Sequence, residues 1–290
     1  MKPSPFVLHR PTTLPQALGL LASSDNARVI AGGQSLMPML AMRLAAPDHL
    51  IDLNRIGELA YIREESGEIA IGAMTRQRDV EHSPLIAARV PLMHEAILHV
   101  GHRQTRNRGT IGGSLCHLDP SAEMPAVMIA LDATLQVEST RGRRMLAMAE
   151  FADGMMTTTL QTDEMLTQIR IRPWPSPHGA HFVEFARRHG DFAVVSAAAM
   201  VDLDRAHRVA RASLALGGVA GTPFRVTAAE RALIGQSDGV AFERAALAAR
   251  ESDALDDPAF PAWYRQRLSA TLLAKAIKGA YGRALAQMNR

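Results

Sequence analysis

The sequence predicts an α+β protein, and three observations carry that assignment. Short β-branched or alternating segments are interspersed with amphipathic runs of helical period rather than alternating with them one for one. Two pairs of these segments flank compact turns, Glu65-Ser66-Gly67-Glu68 and Thr140-Arg141-Gly142, which favours antiparallel hairpins. The last third of the chain reads as three strands followed by helices, a segregation expected of an antiparallel sheet covered by a helical bundle.

Each element has a local reason. Thr12 or Thr13 caps a helix running to about Leu21, with Leu14, Ala17, Leu18 and Leu21 on one face. A strand over 28–31 runs into Gly32-Gly33, and a helix follows from Ser35 to about Leu44, its Met37, Met39 and Met42 read as core filler. "HLIDLN" (49–54) is a short buried strand, 59–75 a hairpin, 84–100 one helix, 133–148 a second hairpin and 164–172 a strand. Three prolines within 173–177 then interrupt regular structure. Strands follow near 181–188, 194–203 and 208–217, and helices near 226–235, 240–252 and 261–287.

Composition narrows the function. Of 290 residues, 47% are hydrophobic and 21% charged, as in an ordinary globular protein and unlike a disordered one. No run of eighteen apolar residues predicts a membrane span, and Met1–Phe6 has no signal-peptide core, so a cytoplasmic location is expected. The pI near 9.4 and the arginines of "HRQTRNRG" (102–109) suggest an accessory protein that binds a nucleotide or nucleic acid without catalysis. Against nucleic acid stand a net charge of only +3, scattered arginines and 4% aromatics. The single cysteine, Cys116, excludes an internal disulfide, a four-thiolate iron–sulfur cluster and a Cys-rich zinc site. No two of the eleven histidines form a metal-ligand motif, so no metal site is expected.

Two stretches share one pattern: Ala31-Gly32-Gly33-Gln34-Ser35 after Val29-Ile30, and Gly112-Gly113-Ser114 after Thr110-Ile111. Small residues let backbone N–H groups converge on an anion, and two such turns suit the two phosphates of a dinucleotide. Either pair alone is more often a tight turn than a ligand site. Neither is a Walker loop, since no Gly-Lys-Ser/Thr follows, and neither fits G-x-G-x-x-G.

"AGGQSLMPMLAMRLAAPDHLIDLN", "IGAMT", "RNRGTIGGSLCHLDPSAEMPA" and "FVEFARRHGDFA", in this order and spacing, resemble the FAD-binding medium subunit of the molybdenum hydroxylases, over essentially the whole chain. That family includes carbon monoxide dehydrogenase, xanthine dehydrogenase and the dehydrogenases of nicotine and caffeine. The resemblance implies an FAD-binding fold of the vanillyl-alcohol-oxidase type in two subdomains, 1–53 and 54–175. A C-terminal flavoprotein domain would occupy 176–290. It implies FAD on this chain, and molybdopterin and [2Fe-2S] clusters on a large and a small partner subunit, in a heterotrimer or its dimer. Electrons would enter from a cluster and leave to an external acceptor; the lone cysteine agrees that no cluster is held here. A stand-alone flavin oxidoreductase of the same fold is the alternative. "SLCHLDPSAEMPA" leans towards the N-heterocycle dehydrogenases.

By the same resemblance, Ala31, Gly32, Gly33, Gln34, Ser35 and Leu36 form the first pyrophosphate loop. Thr110, Ile111, Gly112, Gly113 and Ser114 form the second. Glu123 would hydrogen-bond an FAD ribose, although an acid in the first turn of a helix has its own reason to be there. Leu166 packs near the flavin or simply in the core, and Phe192, where the carbon monoxide enzyme has Tyr, would lie over the ring without its hydroxyl. No catalytic side chain is implied. Where many relatives carry a lysine near the flavin, this sequence offers Val183 and Glu184, and Arg187 and Arg188 read as surface charges. Cys116 and His117 read as packing residues rather than covalent flavin attachments. A Gly32→Val change is expected to abolish FAD binding with folding near native, the side chain filling the space of the phosphate.

Overall fold

The structure, a computed structural model, describes residues 2–289. Three sheets organise it. The first is parallel, with Val7–His9 and Ala27–Ile30 flanking His49–Asp52, and helix Leu14–Ser23 between the outer strands in sequence. Thr13 caps that helix by accepting from the Gln16 amide. Strand Val7–His9 has no sequence signature, because Pro3 and Pro5 precede it and Val7 and Leu8 are exposed at the sheet edge.

The second sheet is antiparallel, in spatial order Ile62–Glu65, Glu68–Gly72, Met165–Ile171, Thr134–Ser139, Gly142–Ala147. Both predicted hairpins form, the first turning through Ser66 and Gly67 at positive φ. Between its second and third strands in sequence the chain makes short helices. The single helix expected over 84–100 is divided into Pro84–Arg89 and Pro91–Ala96, because Pro91 cannot donate to the preceding turn and Val90 is forced out of helical geometry (φ −136, ψ 60). Arg103–Arg108 is a further short helix, and the second glycine segment lies within helix Ile111–His117, of which Thr110 is the N-cap. Helix Glu123–Ala130 has no polar face, and all eight of its residues are buried.

The third sheet, Gly179–Phe185, Val195–Leu203, Val209–Gly217 and the two-residue Phe224–Arg225, is antiparallel throughout, one short strand more than expected. Both its faces are covered. Phe182, Ala198, Met200 and Ala215 join the core that surrounds helix Glu123–Ala130. Ala197, Ala199, Leu214 and Leu216 pack with Leu273, Ala276 and Ile277 of the long helix Ala262–Met288. Trp174, inside the proline-rich crossing, is buried in the first of these cores, with the Arg211 guanidinium 3.8 Å from its ring centroid. The methionines of helix Leu36–Met42 are not core: Met37 and Met42 are 41% and 52% exposed, and Leu40 alone of that helix is buried. Among the described residues no helix is long and apolar enough to cross a membrane.

Candidate functional site: two glycine loops face to face

The two glycine segments, some eighty residues apart in sequence, meet in space. A Cβ built on Gly113 would sit 3.6 Å from the Ala31 Cβ, so the loops lie one against the other. Gly32 is closer still to the second segment. A Cβ there would collide with the Arg108 carbonyl oxygen and lie 2.9 Å from Gly109 Cα. The expected reason for this glycine is therefore corrected: its Cβ side is filled by protein backbone, not reserved for phosphate. Gly33 is needed for a different reason, its φ of +73.

The first loop leaves donors free. No protein atom among the described residues accepts from the amide N–H of Gly32, Gly33, Gln34, Ser35 or Leu36. Gln34 turns back to donate from Nε2 to Gly32 O (3.1 Å), Ser35 makes no side-chain cap, and half-buried Leu36 opens the helix. Gln34 is exposed and the other four are half-buried, so these five amides are open to solvent or to a ligand. Converging backbone donors of this kind suit an anion.

The second loop is wired differently. Ile111 N donates to Thr75 O (3.0 Å), Gly112 N to Ala73 O (2.9 Å), Gly113 N to Thr110 Oγ1 (3.0 Å) and Ser114 N to Thr110 O (3.1 Å). Its amides are consumed internally, contrary to the expectation of two equivalent amide loops. What it contributes is a wall: Gly112 lets the helix approach within Cβ-excluding distance of Ala73 (2.6 Å), and Ile111 anchors it in the core.

A polar clamp holds the pair in place, and sequence reasoning missed it. Asn54 Nδ2 donates to Ala31 O (2.9 Å), Arg76 donates from Nη2 to Asn54 Oδ1 (2.6 Å) and from Nη1 to Arg108 O. Asp52 steadies Asn54 through Oδ1 (2.5 and 3.0 Å). Burial, and then the nearby Arg108, lower the Arg76 pKa. Nothing local announces this clamp, since its partners lie 22, 23 and 32 residues apart. Beneath it Arg106, read as part of a basic patch, is only 8% exposed and bonds Glu81 (2.8 and 3.2 Å) and the carbonyls of Val100 and Gly101. It is an internal brace for the approach to the second loop.

The remaining candidates sit at varying distance from the loops. Glu123, 4% exposed, opens the all-buried helix, and burial pushes its carboxyl up to about 7, with Glu184 adding to the rise. Leu166 is 3% exposed within the core of the five-stranded sheet, paired with Val137. Phe192 is 60% exposed on the segment between Phe185 and Val195. That segment rests on the second loop's approach: a Cβ at Gly190 would lie 2.6 Å from His102 Nδ1, and the His102 and His189 rings are parallel at 6.3 Å. Of the two residues the resemblance sets at a lysine position, Val183 packs in the C-terminal core and Glu184 pairs with His99 Nδ1 at 3.2 Å. Cys116 packs against the core, and burial pushes its thiol up to about 12, far from a nucleophile.

A loop of open amides laid against a helix start capped by Thr110 is an arrangement suited to the phosphates of a nucleotide. The comparisons with known proteins agree. Residues 4–175 match the family model of the FAD binding domain in molybdopterin dehydrogenase, and residues 180–280 that of the CO dehydrogenase flavoprotein C-terminal domain. The chain belongs to this family, the FAD-carrying medium subunits of the molybdenum hydroxylases. It is 41% identical over 288 residues to the caffeine dehydrogenase subunit beta of Pseudomonas sp., covering 98% of this chain and 97% of the relative. It is 37% identical to the carbon monoxide dehydrogenase medium chain of Afipia carboxidovorans, covering 98% and 99%. The structure superposes on the solved quinoline 2-oxidoreductase of Pseudomonas putida 86 with a TM-score of 0.94 at 36% identity, covering 98% of this chain and 100% of that one.

Proposed function

We propose that this chain holds FAD between its two glycine loops and passes electrons within a molybdenum hydroxylase assembled with a small [2Fe-2S] subunit and a large molybdopterin subunit, as a heterotrimer or its dimer. Bound FAD supplies a store for two electrons, fillable from iron–sulfur clusters and discharged to an external acceptor. The observation that carries the reading is the run of five unpaired amides at residues 32–36. These donors receive the pyrophosphate; Ala31 sets the loop's entry through its carbonyl bond to Asn54. Thr110, Ile111, Gly112, Gly113 and Ser114 form the opposing wall, and Glu123 accepts from a sugar hydroxyl. Leu166 backs the site from the sheet beneath, and Phe192 covers it from the C-terminal side. None of these residues exchanges a proton with substrate, so the chain positions and insulates FAD rather than performing acid–base chemistry.

For the substrate of the assembly we propose an aromatic N-heterocycle, supported by the likeness to the caffeine and quinoline enzymes. The test is purification of the full chain alone and with its partners. Alone, it takes up one FAD per chain and shows a flavin spectrum, yet turns over no substrate. With the partners, an N-heterocycle bleaches that spectrum and carbon monoxide does not. A chain that remains colourless in excess FAD contradicts the reading, as does turnover by the chain alone.

A further inference from the structure

A second acid, Glu184, stands on the same strand face as Phe182, which packs into the core around helix Glu123–Ala130. The C-terminal strands are registered so that Glu184, Ser196 and Gly217 stand side by side across three of them. That row faces the segment entering helix Glu123–Ala130: a Cβ at Gly217 would lie 2.7 Å from Ser196 Oγ, 3.2 Å from Ala126 Cβ and 3.4 Å from Pro120 O. The Glu184 side chain is 8% exposed. Its Oε1 receives Nδ1 of His99 at 3.2 Å, while its Oε2 is buried without any hydrogen-bond partner, as is Ser196 Oγ. Among the described residues no side-chain hydrogen bond reaches Glu123, whose carboxylate meets its own backbone amide. His99, whose side chain is 39% exposed, is the point at which this buried group meets solvent.

We propose that Glu184, held by His99, is a positioning residue that sets the ionisation of Glu123 and thereby makes the grip of this chain on an FAD hydroxyl depend on pH. The inference rests on Glu123 being an FAD contact, as proposed above. A carboxylate accepts from a hydroxyl more strongly than a neutral carboxyl does, so the grip tightens as Glu123 loses its proton. Two carboxylates sharing one dry pocket disfavour each other's charge, and a cation beside them favours it. Every ionisable group acting on Glu123 fits this scheme. Burial comes first; Glu184 from the strand and Asp119 from the preceding turn oppose its charge, and His99 favours it. Glu95, the acid of the neighbouring helix Pro91–Ala96, is engaged by His181 and Arg283. His99 itself takes up a proton more readily than usual because of its bond to Glu184.

Glu184 and His99 act on Glu123 in opposite directions. The apoprotein of the full chain is titrated with FAD between pH 5.5 and 8.5, reading flavin fluorescence; the pyrophosphate keeps constant charge over this range. Wild-type affinity rises severalfold with pH through a midpoint well above the ordinary carboxylate range. Glu184→Gln, of the same shape, moves that midpoint to lower pH and binds FAD severalfold tighter than wild type at pH 6, with little difference at pH 8.5. His99→Gln moves it the other way, and Glu184→Asp restores the wild-type midpoint. Glu123→Gln flattens the profile. Melting curves of each apoprotein verify folding, and the His99 variant decides the matter if Glu184→Gln does not fold. If Glu123→Gln flattens the profile but neither Glu184→Gln nor His99→Gln moves the midpoint, the inference is overturned and Glu123 stands as a contact. If wild-type affinity is flat and Glu123→Gln binds FAD equally well, Glu123 is not a contact and both readings fall.

Discussion

At the scale of single residues, the site depends on atoms that face each other across the two loops. Gly32→Ala already places a methyl against the Arg108–Gly109 backbone, which has no side chain to swing away. The expected outcome is separation of the loops, with FAD affinity lowered at least tenfold and a melting temperature reduced even in the apoprotein. An unchanged apoprotein would return Gly32 to the simpler role of leaving room for phosphate. Asn54→Ala removes the link between Ala31 O and Arg76. Because those bonds are exposed, water replaces part of them and stability falls by only about 1 kcal/mol. FAD affinity drops three- to tenfold, readable by calorimetry, because the cradle is no longer held in register with its wall. Of these residues the glycines were legible in the chain, since a Gly-Gly pair between a strand and a helix is a local pattern. Asn54 and Arg76 were not: an Asn after a strand and an Arg before a helix are ordinary residues until the fold brings Arg108 O beside them.

At the scale of elements, local chemistry decided most of the secondary structure. Ser66-Gly67 supplies the two positive-φ residues of a tight hairpin turn, and Thr13 a helix cap, so both elements were readable from residue type. The errors have physical causes too. Apolar periodicity continues through 84–100, but Pro91 severs the hydrogen-bond ladder. At the second glycine segment the local chemistry is a cap: Thr110 Oγ1 captures the Gly113 amide and starts a helix. Thr110→Ala should therefore cost about 1 kcal/mol and weaken FAD binding, while Thr110→Ser preserves both, as checked by denaturant melts with and without FAD. Equal stability of the Ala and Ser variants would show that the cap is not what holds this helix start. The exposed methionines of helix Leu36–Met42 show the limit of pattern reading. A helical stripe says which residues share a face, and not whether anything covers it.

At the scale of the whole molecule, one ionic cluster joins layers distant in sequence. Glu95 of helix Pro91–Ala96 accepts from His181 Nδ1 (2.8 Å) and the Phe182 amide (3.2 Å) on the C-terminal sheet, and from Arg283 Nη1 and Nη2 (2.5 and 2.9 Å) on the long helix. Burial works to raise the Glu95 pKa, but the bonds from His181 and Arg283 outweigh it and hold the carboxyl at about 2, down from 4.5. A depressed carboxylate stabilises the fold above its unfolded value and loses that contribution as pH falls, here between about 4.5 and 2. Discounted for partial exposure, it amounts to about 2 kcal/mol. Glu95→Gln should lower the melting temperature at pH 7, and lower it by less than half as much at pH 3. An equal loss at both pH values would assign the effect to packing.

The central claim is that the amides of residues 32–36 hold the pyrophosphate, and backbone hydrogen exchange reads those amides directly. With one FAD bound per chain, exchange across Gly32–Leu36 should slow at least tenfold relative to the apoprotein. ADP should reproduce most of that protection, and riboflavin, which has no phosphate, none of it. Exchange at these five amides that is the same with and without bound FAD would contradict the account.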